Sequence, residues 1–281
     1  MSPIRTKKEL SKILSGLGKN STTGLVPTMG ALHIGHVSLI EKAISENDYV
    51  IVTIFVNPTQ FDNAEDLKKY PSTLKKDLKL IEDISPSILV FAPSVNEIYE
   101  STIISKRYDF HGLDKVMEGE FRDDHFNGVG TIVETLFLLI KPDVAYFGEK
   151  DFQQLRIIQK LTKIQKLPVQ IIGCPIVREA NGLAMSSRNE RLSPELRLKA
   201  GFIYDTLKAA KQKFGTESVN KTKEWVAKEF EQHSYFELEY FEITDVETLT
   251  PSIRKVKNIK YRAFIAVYAN DVRLIDNIAL N

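Results

Sequence analysis

The chain has 281 residues, enough for one large or two moderate domains with ample core. Apolar residues make up 43% and charged residues 27%, and 38 Lys and Arg stand against 37 Asp and Glu, so there is no global basic field of the kind nucleic-acid binding uses. One cysteine, Cys174, excludes an intramolecular disulfide framework; MSPIRTKKEL lacks a signal peptide's apolar core and no apolar run nears ~18 residues, so we expect a cytoplasmic globular protein without a membrane span.

A short charged helix is expected over Lys7 to Leu14, then a strand at Gly24-Leu25-Val26. PTMGALHIGH, Pro27 to His36, follows as a strand-to-helix turn, because Leu39, Ile40, Ala43 and Ile44 then recur at helical spacing. Such a turn aims backbone N–H groups and a helix dipole outward, which favours a phosphate. Gly30 permits the turn, Gly35 lets a phosphate approach, and His33 and His36 face the same way. Two readings compete at this point: imidazoles donating to an oxyanion forming at phosphorus, or plain helix-capping histidines. A zinc pair loses support because no third ligand lies at a familiar spacing, and we expect no protein-held metal.

Tyr49 to Val56 reads as a strand covered on both faces, ending in Asn57-Pro58-Thr59-Gln60-Phe61. Loops after the carboxyl ends of strands bind ligands in open α/β sheets, although Asn-Pro also simply begins turns. Asp62 to Asp83 is charged and helical, broken at Pro71; Ser87 to Ala92 is a short buried strand, and a polar stretch runs to Asn127. Val129 to Ile140 is apolar nearly all round and is expected as a central helix. Its Gly128-x-Gly130 is no dinucleotide fingerprint, since no strand directly precedes it.

Val144 to Gly148, Glu149-Lys150-Asp151 and a helix bearing Leu155, Ile157, Ile158 and Leu161 form a second strand-turn-helix. Lys150 then either reaches a phosphate at the carboxyl edge or sits in a solvated turn. Val169 to Pro175 is a further strand with Cys174 at its end, read as a small apolar residue. The polar loop Val177 to Asn189 carries Met185-Ser186-Ser187-Arg188, two hydroxyls and a guanidinium able to hold a polyphosphate. Helices over Pro194 to Phe214 and Val219 to His233 lead to antiparallel strands over Phe236 to Val246 and Arg262 to Ala269. The expected fold class is α/β, a Rossmann-like doubly wound parallel sheet with a smaller C-terminal α+β domain, divided into 1–177 and 178–281, the second acting as a lid.

The decapeptide resembles the H-x-G-H signature of the nucleotidylyltransferase superfamily, and its P-T-M-G-A-L-H-x-G-H form is similar to that of the pantoate–β-alanine ligase family. IFVNPTQF, Tyr70-Pro71, HFNGV, FGEKDFQQL, VREANGLAMSSRN and LIDNIA carry the likeness along nearly the whole chain in order. Ile34 departs from it where an acidic residue is more usual, and Gly130 where a larger one is.

The resemblance implies ATP-dependent joining of pantoate to β-alanine through a pantoyl adenylate, releasing AMP and pyrophosphate, with Mg²⁺ held mainly by the ATP phosphates. It places ATP on Met29, Gly30, Ala31, Leu32, His33, Ile34, Gly35 and His36, on Gly148, Glu149, Lys150 and Asp151, on Val177, and on Met185, Ser186, Ser187 and Arg188. Pantoate falls on Gln60 and Gln154, with Pro27, Met29 and Asn57 nearby. The catalytic set it implies is His33, His36, Lys150, Ser186, Ser187 and Arg188; the resemblance makes His36 the general acid, and we reduce that to positive charge or hydrogen bonding toward phosphate, since metal-bound pyrophosphate leaves without needing a proton. Asp77 and Asp151 are candidates for water-mediated contact with the ion. A homodimer is expected from the resemblance alone.

Two other classes compete. A nucleotidylyltransferase acting on a phosphorylated acceptor would want more cations than neutral Gln60 and Gln154 supply. A nucleotide sensor or RNA-binding relative is disfavoured by the near-zero net charge.

Overall fold

In the computed structural model, which describes residues 1–18, 20–62, 64–100 and 102–281, every strand of the larger sheet runs the same way. β1 (Thr23–Thr28), β2 (Tyr49–Ile54), β3 (Leu89–Phe91), β4 (Val144–Gly148) and β5 (Gln170–Cys174) lie in the order β3-β2-β1-β4-β5. The order reverses between β1 and β4, the crevice where such sheets take ligands. Leu25, Ile51 and Val52 are fully buried, as continuous β-branched runs under helices on both faces require.

Helices α1 (Lys7–Ser15), α2 (Ile34–Glu46), α3 (Ala64–Lys69), α4 (Leu74–Ile84), α5 (Val95–Tyr99), α6 (Glu118–Phe121), α7 (His125–Ile140) and α8 (Phe152–Ile164) accompany this sheet. The expected helical stretch from Asp62 to Asp83 crosses position 63, and the polar stretch to Asn127 crosses position 101; both positions lie outside the described residues. The α7 helix starts four residues ahead of the expected Val129. Its first turn buries His125 in place of an apolar residue, which hydropathy could not signal.

Past β5 come α9 (Pro194–Lys199), α10 (Gly201–Thr216) and α11 (Val219–Glu231), then an antiparallel sheet β6-β7-β8 over Glu237–Asp245, Tyr261–Ala269 and Val272–Ala279. The sequence reading left β8 out. Its buried residues include Asp276 and Asn277, 4% and 1% exposed, and buried polar residues break the alternation that marks a strand. A separate cluster built on Leu207, Val226, Ile243 and Ile265 forms this unit's core. The fold is therefore a Rossmann-like α/β unit followed by a smaller C-terminal α+β unit.

Candidate active site

A cavity of about 220 Å³ opens at the carboxyl edge of the parallel sheet, between β1, β2 and β4 and the loop after β5. Its walls include Pro27, Met29, His33, Gly35, His36, Asn57, Gln60, Gly148, Lys150, Asp151, Gln154, Val177, Met185, Ser186, Ser187 and Arg188. Five residues assigned to ATP by resemblance, Gly30, Ala31, Leu32, Ile34 and Glu149, are not among those lining this cavity, although each adjoins one that is or lies in the same turn. The N–H groups of Ala31 and Leu32 donate to the buried Asp77 carboxylate at 3.0 and 2.9 Å, so they are not offered to a phosphate. Asp77 thus clamps the turn, its two oxygens accepting from these amides and from the Thr73 hydroxyl. Ile34 is 60% exposed, and Glu149 turns to Arg262.

Of the two expected readings of the histidines, the structure shows the capping one directly. His33 is the N-cap of α2: its Nδ1 accepts from Gly35 N–H at 3.1 Å, while His36 Nδ1 accepts from His33 N–H at 3.3 Å. A nitrogen that accepts must be bare, so each neutral ring carries its proton on Nε2. The Gly35 amide is therefore spent on the cap, and the donors left for a ligand are ring Nε2–H groups. The rings sit 4.1 Å apart. Burial first, and then the Lys150 charge for His33 and the His33 and Lys150 charges for His36, lower them to about 4 and about 3. The free protein consequently has hydrogen-bond donors here, not positive imidazolium. Gly35 has to lack a side chain, because a Cβ would meet the His33 ring at 2.9 Å.

Gln60 is held from several sides. Asn57, 1% exposed, donates to Gln60 Oε1 at 3.0 Å and to the Gly128 carbonyl at 3.1 Å, and accepts from the Tyr99 hydroxyl. Gln60 Nε2 rests on Met29 Sδ at 3.2 Å, and the Gln60 carbonyl accepts from His125 Nδ1 at 2.7 Å. A Cβ at Gly128 would lie 2.2 Å from the Thr59 carbonyl, so α7 approaches this turn closely only because Gly128 is glycine. Gly128→Ala is expected to cost about 2–4 kcal/mol in stability. Thermal melts would register it, and an unchanged melting temperature would mean the turn has room to yield.

Lys150 Nζ meets one carboxylate, Asp151 at 3.7 Å, so its charge stays available to the cavity. The Met185–Arg188 segment arrives with its groups engaged. Ser186 Oγ accepts from Arg188 N–H at 3.2 Å, Ser187 Oγ lies 3.3 Å from the Tyr70 hydroxyl, and Arg188 donates to Asp66 at 2.7 Å. Sequence reasoning missed Asp66 and gave Tyr70 no contact, since charged and aromatic residues on α3 and its flank look like a solvated face. Asn277 was noted only in passing. Its Nδ2 donates to the Glu149 and Lys150 carbonyls, both at 2.9 Å, so β8 of the second sheet fixes the turn that carries Lys150. Cys174 is buried and its thiol is pushed up to about 11 by that burial, in keeping with an apolar role.

The family model for pantoate-β-alanine ligase matches residues 2–279. The pantothenate synthetase of Christiangramia forsetii is 59% identical over 258 residues, covering 92% of this chain and 91% of that protein. That of Flavobacterium psychrophilum is 56% identical over 264 residues, 94% of each. Among solved structures, the pantothenate synthetase of Thermus thermophilus superposes with a TM-score of 0.90 at 38% identity, over 100% of this chain and 99% of that one. A Francisella tularensis pantoate-β-alanine ligase, described as complexed with β-γ ATP and β-alanine, gives 0.83 at 35%, over 100% and 98%. With coverage this complete and identities this high, the chain belongs to the pantoate–β-alanine ligase family.

Proposed function

We propose that this cavity joins pantoate to β-alanine using ATP, in two half-reactions that share one acyl carbon. The observation that carries the reading is the convergence, in a chain of this family, of two Nε2–H donors, a lightly paired Lys150 and the neutral Gln60 and Gln154 on one cavity wall. A carboxylate is a poor acyl donor to an amine until one oxygen is made a leaving group. A pantoate oxygen therefore attacks the α-phosphorus, the bond to the bridging oxygen breaks, and pyrophosphate departs with the electron pair. His33, His36 and Lys150 face the charge that grows on the phosphoryl oxygens. Gln60 and Gln154 hold the hydroxy acid in line, and such positioning is worth up to ~7–11 kcal/mol of barrier. In the second half the β-alanine nitrogen attacks the acyl carbon, the acyl–phosphate bond breaks, and AMP leaves.

Ser186, Ser187 and Arg188 are assigned to the departing pyrophosphate. Their present partners, Tyr70 and Asp66, would then be exchanged for phosphate oxygens. Asp151, with hard oxygen donors on the cavity wall, suits Mg²⁺ that enters on the nucleotide; when bound, the ion neutralises phosphate charge. The division at 177/178, with the second part closing as a lid, is part of the same proposal. The adenylate is hydrolysable, and a clamp delivered from beyond that boundary would exclude water. A cytoplasmic homodimer is proposed on composition and family resemblance.

The test supplies the purified chain with ATP, Mg²⁺ and pantoate, with and without β-alanine. AMP turnover that needs both acids and yields pantothenate supports the reading. A folded, ATP-binding protein that makes no pantothenate sinks it. At the residue level, Gln60→Ala is expected to lower kcat/KM for pantoate about 10–100-fold. Unchanged pantoate kinetics would take Gln60 out of the site.

A further inference from the structure

The ligase reading leaves β-alanine without a partner for its carboxylate. A second cavity adjoins the first, lined by Arg122, Arg188, Arg191, Arg273, Lys150 and Asp151 among others. A small third cavity shares Lys150, Asp151 and Gln154 with the first and Arg122, Lys150 and Asp151 with the second. Three of these arginines already meet carboxylates closely. Arg188 and Arg191 pair with Asp66 at 2.7 and 3.3 Å, and Arg273 grips Glu118 through two bonds of 2.7 Å.

Arg122 differs. Its guanidinium is aimed by neutral acceptors, His125 Nε2 at 3.3 Å and the Gln60 carbonyl at 3.4 Å. His125 Nδ1 must donate to that same carbonyl, so Nε2 is bare and can accept. Neutral acceptors orient a guanidinium without cancelling its charge. The nearest carboxylates, Asp62 and Glu118, both stand 3.8 Å away, and Glu118 is already saturated by Arg273 and by the Tyr240 hydroxyl at 2.8 Å. With a side chain only 19% exposed, Arg122 is an oriented, under-compensated cation lining the two cavities beside the reaction cavity.

We infer that Arg122 binds the carboxylate of the second substrate, so that β-alanine enters through the adjoining cavity with its amine directed at the acyl group held by Gln60 and Gln154. This rests on the ligase reading. Pyrophosphate is the other anion nearby, but its assigned donors, Ser186 to Arg188, line the reaction cavity itself, and Arg122 does not. The inference extends to selectivity: an amine without a carboxylate should be a poor acceptor.

Wild type, Arg122→Gln and Arg122→Lys are compared in two assays, pantoate-dependent exchange of pyrophosphate into ATP without β-alanine, and pantothenate formation with β-alanine or β-alaninamide titrated. In Arg122→Gln the KM for β-alanine should rise on the order of 10–100-fold and the preference over β-alaninamide should fall by a similar factor. Exchange should stay within about twofold, which also reports an intact fold. Arg122→Lys should recover most of the preference; if the Gln variant does not fold, a weakened preference in the Lys variant decides in favour. Exchange that falls in step with synthesis would overturn the inference and give Arg122 to the first half-reaction. So would an undiminished preference for β-alanine. A wild-type chain that exchanges pyrophosphate but makes no pantothenate would instead overturn the ligase reading.

Discussion

Replacing Lys150 by methionine should slow pantoate-dependent pyrophosphate exchange by about 10²–10³-fold while leaving the protein folded. The size follows from removing one preorganised group that faces developing phosphoryl charge in a partly enclosed cavity. The intact fold follows from what Lys150 touches: its Nζ has only Asp151 at 3.7 Å, and the turn beneath it is held through backbone carbonyls by Asn277. Methionine keeps the packed stem, so the melting temperature should move by no more than about 2 °C. A second signature comes with it. The Lys150 charge helps to depress both His33 and His36, so their titration, followed by NMR, should move upward in the variant. Exchange at the wild-type rate would remove Lys150 from the chemistry, and stationary histidines would mean that burial alone sets their protonation.

The second large effect is acid sensitivity. His33, His36 and His125 are lowered from 6.5 to about 4, about 3 and about 3, in each case chiefly by burial. Above pH 6.5 neither the native nor the unfolded chain protonates them, and they leave stability unaffected by pH. Below 6.5 the unfolded chain binds protons that the native chain refuses, so stability falls as the pH drops toward the folded values. Each histidine contributes ~1.4 kcal/mol per pH unit in that window, and three together remove roughly 6 kcal/mol between pH 7 and pH 5. That is comparable to the whole stability of many domains. Urea unfolding at pH 7, 6 and 5 measures it directly. A midpoint that stays level across that range would show that the rings take up protons in the folded state. The cap gives a structural reason against that, because protonating His33 Nδ1 would turn the acceptor of the Gly35 amide into a competing donor.

Much of the molecule was legible before any coordinates. Short apolar runs mark β1, β2 and β4, and the strand-to-helix turns after β1 and β4 place His33, His36 and Lys150 at one edge, because parallel strands must all end on the same side. Local pattern settles such features: a strand followed by a helix has only one place to put the turn between them. The apolar role of Cys174, buried at the end of β5, could be read the same way.

What only the tertiary structure decided concerns groups whose partners are distant in sequence. The Asp77 carboxylate meets amides forty-five and forty-six residues back, which engages the Ala31 and Leu32 N–H groups within the protein. Arg122 reaches the Gln60 carbonyl across sixty-two residues, and Asn277 holds the Lys150 turn from another sheet. β8 was missed for the same reason that makes it important, since Asp276 and Asn277 are buried by Arg178 and by the Glu149 and Lys150 carbonyls rather than by apolar neighbours. Hydropathy prices each residue against water. Burial of a polar group is governed by the partner waiting for it, and that partner is supplied by the fold.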